Sequence, residues 1–347
     1  MQANRYKTEI FVYYDMNKLI LILTISFSFT QWFNIYHGGV NRTYYVSYPD
    51  NASQETPLII NMHGYGGNAI NQQIYSEMDQ FAHSENVAVV YPQGLNYSWN
   101  VFTYWDSNPY DDVGFVSAMI DDISENFNID LDRVYACGMS NGGYMSYRLA
   151  CDLSDKIAAF GSVTGNFMIN NSMNDCQDQN RDIPIIHFHG TQDGVVNYYP
   201  PSFDGSLTVE QSIQFWSDYN GLNQNSVETI NNNVEIYRYY NEVSKVDFVH
   251  YKVYGGGHDW FGSSWVTDWG FNASQELVDF FLQYRLSDFI TSYLSGDLNE
   301  DNLINIQDVI IVINLILEGE FDLAADINSD NTINVLDIIQ LVNIILN

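Results

Sequence analysis

A serine lies between two glycines in the segment Gly138-Met139-Ser140-Asn141-Gly142. This Gly-x-Ser-x-Gly pattern allows a serine nucleophile to sit on a sharp turn between a strand and a helix, because the flanking glycines leave space for the strained backbone. The apolar run 133–137 before the motif has the composition of a strand, and a helical pattern begins near Asn141. The sequence therefore predicts Ser140 as the nucleophile of an acyl-transfer reaction.

A serine hydroxyl needs a histidine to take its proton and a carboxylate to orient that histidine. In α/β-hydrolases the three residues follow in the chain order Ser, Asp or Glu, His. Asp193 follows the apolar run 183–188, and His258 follows the run 246–253, so both fit this order as acid and base. Alternatives with weaker claims are His63, His187 and His189 for the base, and Asp204, Asp247 and Asp259 for the acid.

Acyl transfer also requires an oxyanion hole, which is a pair of backbone N–H groups that stabilise the tetrahedral intermediate. One donor is usually the residue after the nucleophile, and the other comes from the loop after an early strand. By position the first donor is Asn141. The glycine-rich loop His63-Gly64-Tyr65-Gly66-Gly67 is the source of the second, for which we predict the N–H of Tyr65.

Short apolar runs alternate with helix-length amphipathic stretches through the first 285 residues. This alternation is typical of a mostly parallel sheet with helices on both faces, and sites in such sheets form at the carboxyl ends of strands. The expected fold class is therefore α/β, as an α/β-hydrolase. The predicted strands cover residues 57–62, 87–91, 133–137, 158–163, 183–188 and 246–253, and the predicted helices include residues 112–127, 141–149, 209–219 and 274–284.

Several motifs, in order over roughly residues 35–285, resemble the polyhydroxybutyrate depolymerase and feruloyl esterase family. They are His63-Gly64-x-Gly66-Gly67-Asn68, Tyr91-Pro92-Gln93-Gly94, Asp111-Asp112-Val113-Gly114-Phe115, Gly138-Met139-Ser140-Asn141-Gly142-Gly143 and Gly256-Gly257-His258-x-Trp260. The resemblance implies a Ser140, Asp193 and His258 triad without a catalytic cofactor. It also implies a disulfide between Cys151 and Cys176, which leaves Cys137 in the core. Family members hydrolyse polyesters, feruloylated or acetylated polysaccharides, or small esters. Phe261 stands where the family often has proline.

Residues 286–347 contain no lysine or arginine and carry an internal repeat, in which Asp297-Leu298-Asn299-Glu300-Asp301 recurs as Asp326-Ile327-Asn328-Ser329-Asp330. Oxygen ligands at alternate positions, with a carboxylate at the twelfth, suit a calcium loop. The predicted ligands are Asp297, Asn299, Asp301, the backbone of Leu303 and Asp308 in one loop, and Asp326, Asn328, Asp330, the backbone of Thr332 and Asp337 in the other. Each loop runs into an apolar helix. The doubled pattern resembles a type I dockerin, which implies a small all-α domain with two Ca²⁺ sites.

Dockerins of cellulosome-building organisms bind cohesin modules, so the resemblance also implies a cohesin-like partner. The tenth and eleventh loop positions often hold Ser or Thr in cellulosomal dockerins. Here they are Ile306-Gln307 and Val335-Leu336. These departures weigh against a cohesin, and packing of the module on the hydrolase is the alternative.

The N-terminal residues Met16-Asn17-Lys18 precede the apolar run 19–29, which is the order of a secretory signal. The run is shorter than the roughly 20 apolar residues of a membrane span, so no stable span is expected. We predict a signal peptide over residues 1–33, with Met16 as an alternative start and with Ser26 and Ser28 near the cleavage site. A hydrolase domain over residues 34–294 and a dockerin-like domain over 295–347 complete the predicted organisation.

The formal net charge is -31, from 43 acidic and 12 basic residues. Such a surface repels nucleic acid and anionic membranes, so nucleic-acid binding is excluded. The interpretation that fits all of these patterns is a secreted or cell-surface serine esterase. The alternatives are a surface-assembly protein in which the dockerin function dominates over weak hydrolase activity, and a serine peptidase on the same fold.

Overall fold

One ten-stranded sheet with helices on both faces forms the larger domain, which confirms the predicted α/β class. The computed structural model describes residues 29–50, 52, 55–103, 108–168, 176, 181–202, 205–241, 246–289, 296–299, 303–319, 321–328 and 332–346. The predicted signal peptide lies mostly outside these residues. The first strand begins at Phe29, inside the predicted 1–33 segment, so a cleavage near Ser26 or Ser28 would leave that strand whole.

The strands follow one another in the order β1-β2-β4-β3-β5-β6-β7-β10-β9-β8 across the sheet. Their bounds are β1 Phe29–His37, β2 Val40–Tyr48, β3 Thr56–Met62, β4 Ala88–Pro92, β5 Ile129–Met139, β6 Ala159–Val163, β7 Ile185–Gly190, β8 Gln224–Asn231, β9 Val234–Tyr240 and β10 Phe248–Val253. The six central strands are parallel to one another: β4, β3, β5, β6, β7 and β10. Antiparallel pairs flank them on both sides. Because parallel strands share their carboxyl ends, the loops after β3, β5, β7 and β10 meet at one edge.

The helices divide between the two faces of the sheet. Their bounds are α1 Ala69–Ser76, α2 Met78–Ser84, α3 Asp112–Asn126, α4 Asn141–Asp152, α5 Val209–Tyr219, α6 Ala273–Phe281, α7 Ile306–Glu318 and α8 Val335–Leu346. Helices α3, α4 and α5 pack on one apolar layer, and α1, α2 and α6 pack on the other. The four predicted helices in the first domain are α3, α4, α5 and α6, each within three residues of its expected bounds.

The central strands are buried on both sides, as β3 illustrates with all seven residues buried. A strand covered by helices on both faces is apolar at every position, which explains why short continuous apolar runs predicted these strands. The antiparallel strand β8 is mostly exposed instead. Six of its eight residues are polar, and it lies at the edge of the sheet, so it contains no apolar run that would predict a strand.

The C-terminal helices α7 and α8 pack around a small separate core of Val309, Val312, Ala325 and Leu341. Each helix follows one of the two acidic loops, as the internal repeat predicts. Within the described part of the chain, no helix combines the length and the apolar character that crossing a bilayer requires.

Candidate active site

Ser140 occupies a strained turn between β5 and α4. Its backbone angles are φ 54° and ψ −119°, a conformation that residues with a side chain rarely adopt. The turn is tight because a Cβ on Gly142 would lie only 2.3 Å from the carbonyl oxygen of Met62, and a Cβ on Gly138 only 2.5 Å from the backbone of Gly142. The two glycines of the motif are therefore required by close backbone approach, and the turn raises Ser140 above the carboxyl edge of the sheet.

Asp193 and His258 meet at the same edge, from the loops after β7 and β10. The His258 Nδ1–H donates to Asp193 Oδ2 at 2.8 Å. The other carboxylate oxygen, Oδ1, accepts the backbone N–H groups of Val195 and Val196, each at 2.8 Å. Both carboxylate oxygens are therefore held, and the proton of His258 is fixed on Nδ1, which leaves Nε2 as the basic nitrogen.

A cavity of about 260 Å³ opens above Ser140. Ser140 and His258 line it together with the glycine-rich loop after β3 and with Tyr75 from α1. Ser140 and His258 therefore face the same space, in which one bound molecule can contact both.

The two predicted oxyanion donors lie on either side of Ser140. Asn141 is the first residue of α4, so its N–H has no acceptor within the helix. Gly64, the neighbour of Tyr65, approaches Ser140 so closely that a Cβ there would lie 3.3 Å from the serine Cβ. The loop that carries Tyr65 thus runs beside the nucleophile, which is the placement that a second donor needs.

Trp99 connects the two sides of this arrangement, although no sequence motif points to it. Its indole N–H donates to the carbonyl of His63 at 2.8 Å, and its backbone N–H donates to the side-chain oxygen of Asn141 at 2.7 Å. The Asn141 amide returns a hydrogen bond to the carbonyl of Trp99 at 3.2 Å. The fully buried Trp99 therefore links the loop after β3, through its side chain, to the start of α4, through its backbone.

His63 has a structural place beneath the glycine-rich loop. Its Nδ1–H donates to the carbonyl of Gly64 at 2.8 Å, and its Nε2 accepts the backbone N–H of Gly94 at 3.0 Å. Both ring nitrogens are therefore occupied by the backbone. His63 lines the cavity wall but has no free nitrogen with which to act as a base.

The other alternative residues lie elsewhere. Asp247 forms an ion pair with Arg238, and His187 and His189 are fully buried behind the site. Asp259 is next to His258, but the carboxylate that accepts the His258 proton is that of Asp193. Asp204 lies outside the described residues.

The structure joins Cys151, at the end of α4, to Cys176 in a disulfide, and Cys137 is a buried free thiol within β5. Burial raises the pKa of the Cys137 thiol well above its ordinary value. The bridge ties the C-terminal end of α4 to Cys176, which precedes β7 in the chain.

Buried neutral histidines make folding sensitive to acid. Burial lowers the pKa of His63 to about 4 and that of His250 to about 3, against roughly 6.5 in the unfolded chain. Below pH 6.5 the unfolded chain therefore binds protons that the folded chain does not, so the free energy of unfolding falls as the pH drops from 6.5 toward 4. Each histidine contributes a slope that reaches up to about 1.4 kcal/mol per pH unit in that window.

Urea unfolding of His250→Asn between pH 7 and pH 5 tests this effect. We expect the free energy of unfolding to depend less steeply on pH than in the wild type, by about 1 kcal/mol per pH unit on average over this range. His37→Asn is the matched control, since His37 is partly exposed and pairs with Asp111 on the surface. If the free energy of unfolding depends equally steeply on pH in the wild type and in His250→Asn, the buried neutral His250 is not a source of the acid sensitivity.

The two acidic loops of the C-terminal domain are built alike. Asp308 is fully buried and accepts the backbone N–H groups of Leu298 and Asn305, each at 2.8 Å. Asp337 repeats the arrangement by accepting from Asn328 at 3.3 Å and Asn334 at 2.8 Å. Each loop is thereby closed by its twelfth residue.

The charges in these loops favour a cation. Asp297 and Asp326 are also buried, at 4% and 5% exposure, and residues 286–347 hold no lysine or arginine to balance them. Buried carboxylates require such compensation. Among the described residues no three acidic, histidine or cysteine side chains form a metal cluster. Asp301 and Asp330, the fifth loop positions, lie outside that part of the chain.

Comparison with known proteins matches both domains. Residues 295–346 match the dockerin type I domain family, which confirms that resemblance, and residues 110–235 match the phospholipase/carboxylesterase family. A bifunctional acetylxylan esterase/xylanase of Neocallimastix patriciarum is 30% identical over 246 residues, which cover 68% of this chain and 35% of that protein. Feruloyl esterase B of Piromyces equi is 30% identical over 220 residues, which cover 58% of this chain and 39% of that protein.

The fold also matches solved structures. The acetyl xylan esterase from Aspergillus awamori gives a TM-score of 0.56 at 13% identity, over 73% of this chain and 99% of that one. The chain spans only 35% and 39% of the length of the two curated relatives. By sequence and by fold, the chain therefore combines an α/β-hydrolase domain similar to acetylxylan and feruloyl esterases with a C-terminal dockerin type I domain.

Proposed function

We propose that this protein is a secreted serine esterase that hydrolyses carboxylic esters through an acyl-enzyme. The observation that carries the proposal is the hydrogen bond from His258 Nδ1 to Asp193 Oδ2 at 2.8 Å, together with the cavity that His258 shares with Ser140. The strained turn at Ser140 supports the role of nucleophile, because strain of this kind concentrates at functional sites.

In the acylation half of the reaction, Ser140 Oγ attacks the ester carbonyl carbon while His258 Nε2 takes the hydroxyl proton. Asp193 keeps the Nδ1 proton in place and stabilises the imidazolium that forms. The N–H groups of Asn141 and Tyr65 hold the oxyanion of the tetrahedral intermediate. When this intermediate collapses, the C–O bond to the alcohol breaks, and His258 gives its proton to the leaving oxygen.

In the deacylation half, water attacks the acyl-Ser140 ester while His258 takes one water proton. The second tetrahedral intermediate collapses to the free acid and Ser140, and His258 returns the proton to the serine oxygen. Both halves use the same donors and the same base, so one preorganised site serves the complete cycle.

The similarity to acetylxylan and feruloyl esterases favours acetyl or feruloyl esters on plant polysaccharides as substrates. Trp260 is fully buried and donates its indole N–H to Ser274, so it shapes the loop after His258. Tyr65 and Trp265 are exposed at 60% and 69%, and exposed aromatic rings suit stacking on sugars or phenolic acids.

Hydrolysis of a substrate panel tests the proposed function. We would compare p-nitrophenyl acetate, methyl ferulate, acetylated xylan and a peptide p-nitroanilide, with Ser140→Ala as the blank for every substrate. Ester hydrolysis by the wild type above that blank supports the proposal. A wild type that is no faster than the blank on every ester, or that prefers the anilide, overturns it.

We also propose that the dockerin domain binds calcium through its two acidic loops. The residues that would hold the ions are Asp297, Asn299, Asp301, Leu303 and Asp308 in one loop, and Asp326, Asn328, Asp330, Thr332 and Asp337 in the other. Hard oxygen ligands of this kind suit Ca²⁺. The bound ions would balance carboxylates that have no basic residue nearby in the sequence.

Calorimetric titration of chelator-treated protein tests the calcium sites. We expect about two Ca²⁺ ions per chain, and a melting temperature that rises with calcium because only the folded loops bind it. Asp308→Asn should lose one of the two sites, since it replaces the twelfth loop ligand. Glu318→Gln, at the exposed end of α7, is the matched control. A melting temperature that calcium does not change would contradict the assignment.

The partner that the dockerin domain implies is a cohesin-like module, which would place the esterase in an extracellular assembly. Three of the four residues at the tenth and eleventh loop positions are apolar and more than half exposed, namely Ile306, Val335 and Leu336. Apolar side chains at these positions favour a partner with an apolar surface over one that recognises hydroxyl groups. The alternative is that the same surface packs on the hydrolase domain.

A further inference from the structure

Three histidines lie together beneath the catalytic edge, at the β7–β10 pair. His187, His189 and His250 are at most 1% exposed, and none of them lines the cavity above Ser140. Their rings are adjacent, with centroids 5.3 Å apart for His187 and His189 and 5.3 Å for His187 and His250. Burying a polar side chain costs folding free energy unless it forms hydrogen bonds, so the partners of these three rings show what they hold in place.

The hydrogen bonds of this cluster allow only one arrangement of protons for neutral rings. The carbonyl of Val196 can only accept, so His189 Nε2, at 2.9 Å from it, carries the proton. His189 Nδ1 must then accept from His187 Nε2–H at 3.1 Å. His187 Nδ1 in turn accepts the Tyr147 hydroxyl proton at 3.0 Å. The result is a directed line of donors from Tyr147 through His187 to His189.

His250 is satisfied separately. Its Nδ1–H donates to the carbonyl of His187 at 3.2 Å, and its Nε2 accepts the Tyr198 hydroxyl at 3.0 Å. It therefore supports the backbone of β7 but is not a member of the line. Burial lowers the pKa of His187 well below its ordinary value, which is consistent with a neutral His187 ring.

The line ends at the acid of the triad. His189 Nε2 lies 3.4 Å from Asp193 Oδ2, the oxygen that also accepts from His258. The carbonyl of Val196, to which His189 donates at 2.9 Å, belongs to the residue whose N–H donates to Asp193 Oδ1 at 2.8 Å. His189 thus contacts both the carboxylate and the short loop that fixes it. Burial alone would raise the pKa of Asp193, but hydrogen bonds from His189 and His258 outweigh it and hold that pKa far below its usual range.

We propose that His189 is a positioning residue for the catalytic acid, and that it is oriented by His187 on β7 and Tyr147 on α4. Tyr147 lies on α4, so the line connects the helix of the nucleophile to the loop of the acid. A ring held in one tautomer at both nitrogens keeps Asp193 Oδ2 aimed at His258. This inference rests on the proposed function, because it assigns a role within the same triad.

Kinetics of His189→Phe and His189→Gln test the inference. Phenylalanine keeps the ring volume without a donor, and glutamine restores an N–H donor near the position of Nε2. We expect kcat on p-nitrophenyl acetate to fall about tenfold in His189→Phe, with KM within about twofold of wild type, because the acid loses a fixed orientation. His189→Gln should recover most of the lost kcat. Tyr147→Phe, which removes only the hydroxyl at the far end of the line, should lower kcat about threefold.

Controls separate positioning from general destabilisation. His250→Asn replaces another buried histidine of the cluster, so it should lower the melting temperature while kcat stays within about twofold. Proton NMR gives a readout besides activity, since the downfield signal of the His258 Nδ1 proton should shift in His189→Phe and return in His189→Gln. If His189→Phe does not fold, the kcat values of His189→Gln and Tyr147→Phe are compared with that of the wild type instead.

The outcomes distinguish this inference from the proposed function. A wild type no faster than Ser140→Ala overturns the proposed function itself. An active wild type with His189→Phe equally active, with an unmoved proton signal, overturns only the role of His189. A His189→Gln that is as impaired as His189→Phe also overturns it, because the donor would then not be the cause.

Discussion

Replacing Ser140 with alanine is expected to lower kcat for ester hydrolysis by about five to six orders of magnitude. The change removes the only atom that forms the covalent acyl intermediate, while the oxyanion donors and the cavity remain. A small residual rate over the uncatalysed reaction is expected, because those donors still stabilise the transition state for attack by water. The measurement is the initial rate on p-nitrophenyl acetate with the variant purified free of wild type.

The fold of Ser140→Ala should be unchanged, because alanine and serine carry the same Cβ in the strained turn at φ 54°. Ser146→Ala is the matched control: Ser146 lies on the same helix and donates to the carbonyl of Ala136 at 3.1 Å, away from the cavity. It should keep kcat within about threefold of wild type. Labelling by a fluorophosphonate should follow the same pattern, with Ser140→Ala the one unlabelled variant. A labelled or fully active Ser140→Ala would show that the nucleophile lies elsewhere.

Replacing Asp193 with asparagine is expected to lower kcat by about four orders of magnitude. The backbone N–H groups of Val195 and Val196 both donate to Oδ1, so the amide oxygen of asparagine must occupy that position. The NH₂ group then faces His258 Nδ1, which forces the His258 proton onto Nε2. A base protonated on Nε2 cannot accept the proton of Ser140, so the variant fails through the tautomer of His258 and not through loss of structure.

Asp259→Asn provides the control for this variant, because it removes the same charge one residue from His258. We expect its kcat to stay within about threefold of wild type. Comparable losses in Asp193→Asn and Asp259→Asn would contradict the assignment of the acid. Binding of substrate should change little in either variant, so the expected loss lies in kcat and not in KM.

Sequence patterns predicted the fold class and the order of its elements because the physics behind them is local. A strand buried on both faces must be apolar at each position, and this rule located all six central parallel strands. The same local logic applies to the turn at Ser140, where a Cβ on Gly138 or Gly142 would lie only 2.5 or 2.3 Å from neighbouring backbone atoms. The sequence repeat likewise predicted the two acidic loops, because calcium ligands follow a fixed spacing along the chain.

Sequence patterns did not predict the strands whose formation depends on pairing with residues far away in the chain. Strands β8 and β9 lie at the edge of the sheet and carry mixed polarity, so their composition resembles that of loops. The first strand, β1, is recognisable only through its pairing with β2, and it overlaps the end of the predicted signal segment. Edge pairing is a tertiary property, which local composition does not encode.

The sequence by itself determined the types and the order of the chemical groups: a serine in a glycine-rich turn, then an aspartate and a histidine after later strands. Their meeting was decided by the parallel order of the sheet, which brings the ends of β5, β7 and β10 to one edge. Only the tertiary structure decided which aspartate accepts the His258 proton. It also revealed that Trp99 bonds to the glycine-rich loop after β3 and that His189 lies behind Asp193. These roles depend on hydrogen bonds between residues far apart in the chain, and the direction of such bonds follows from packing.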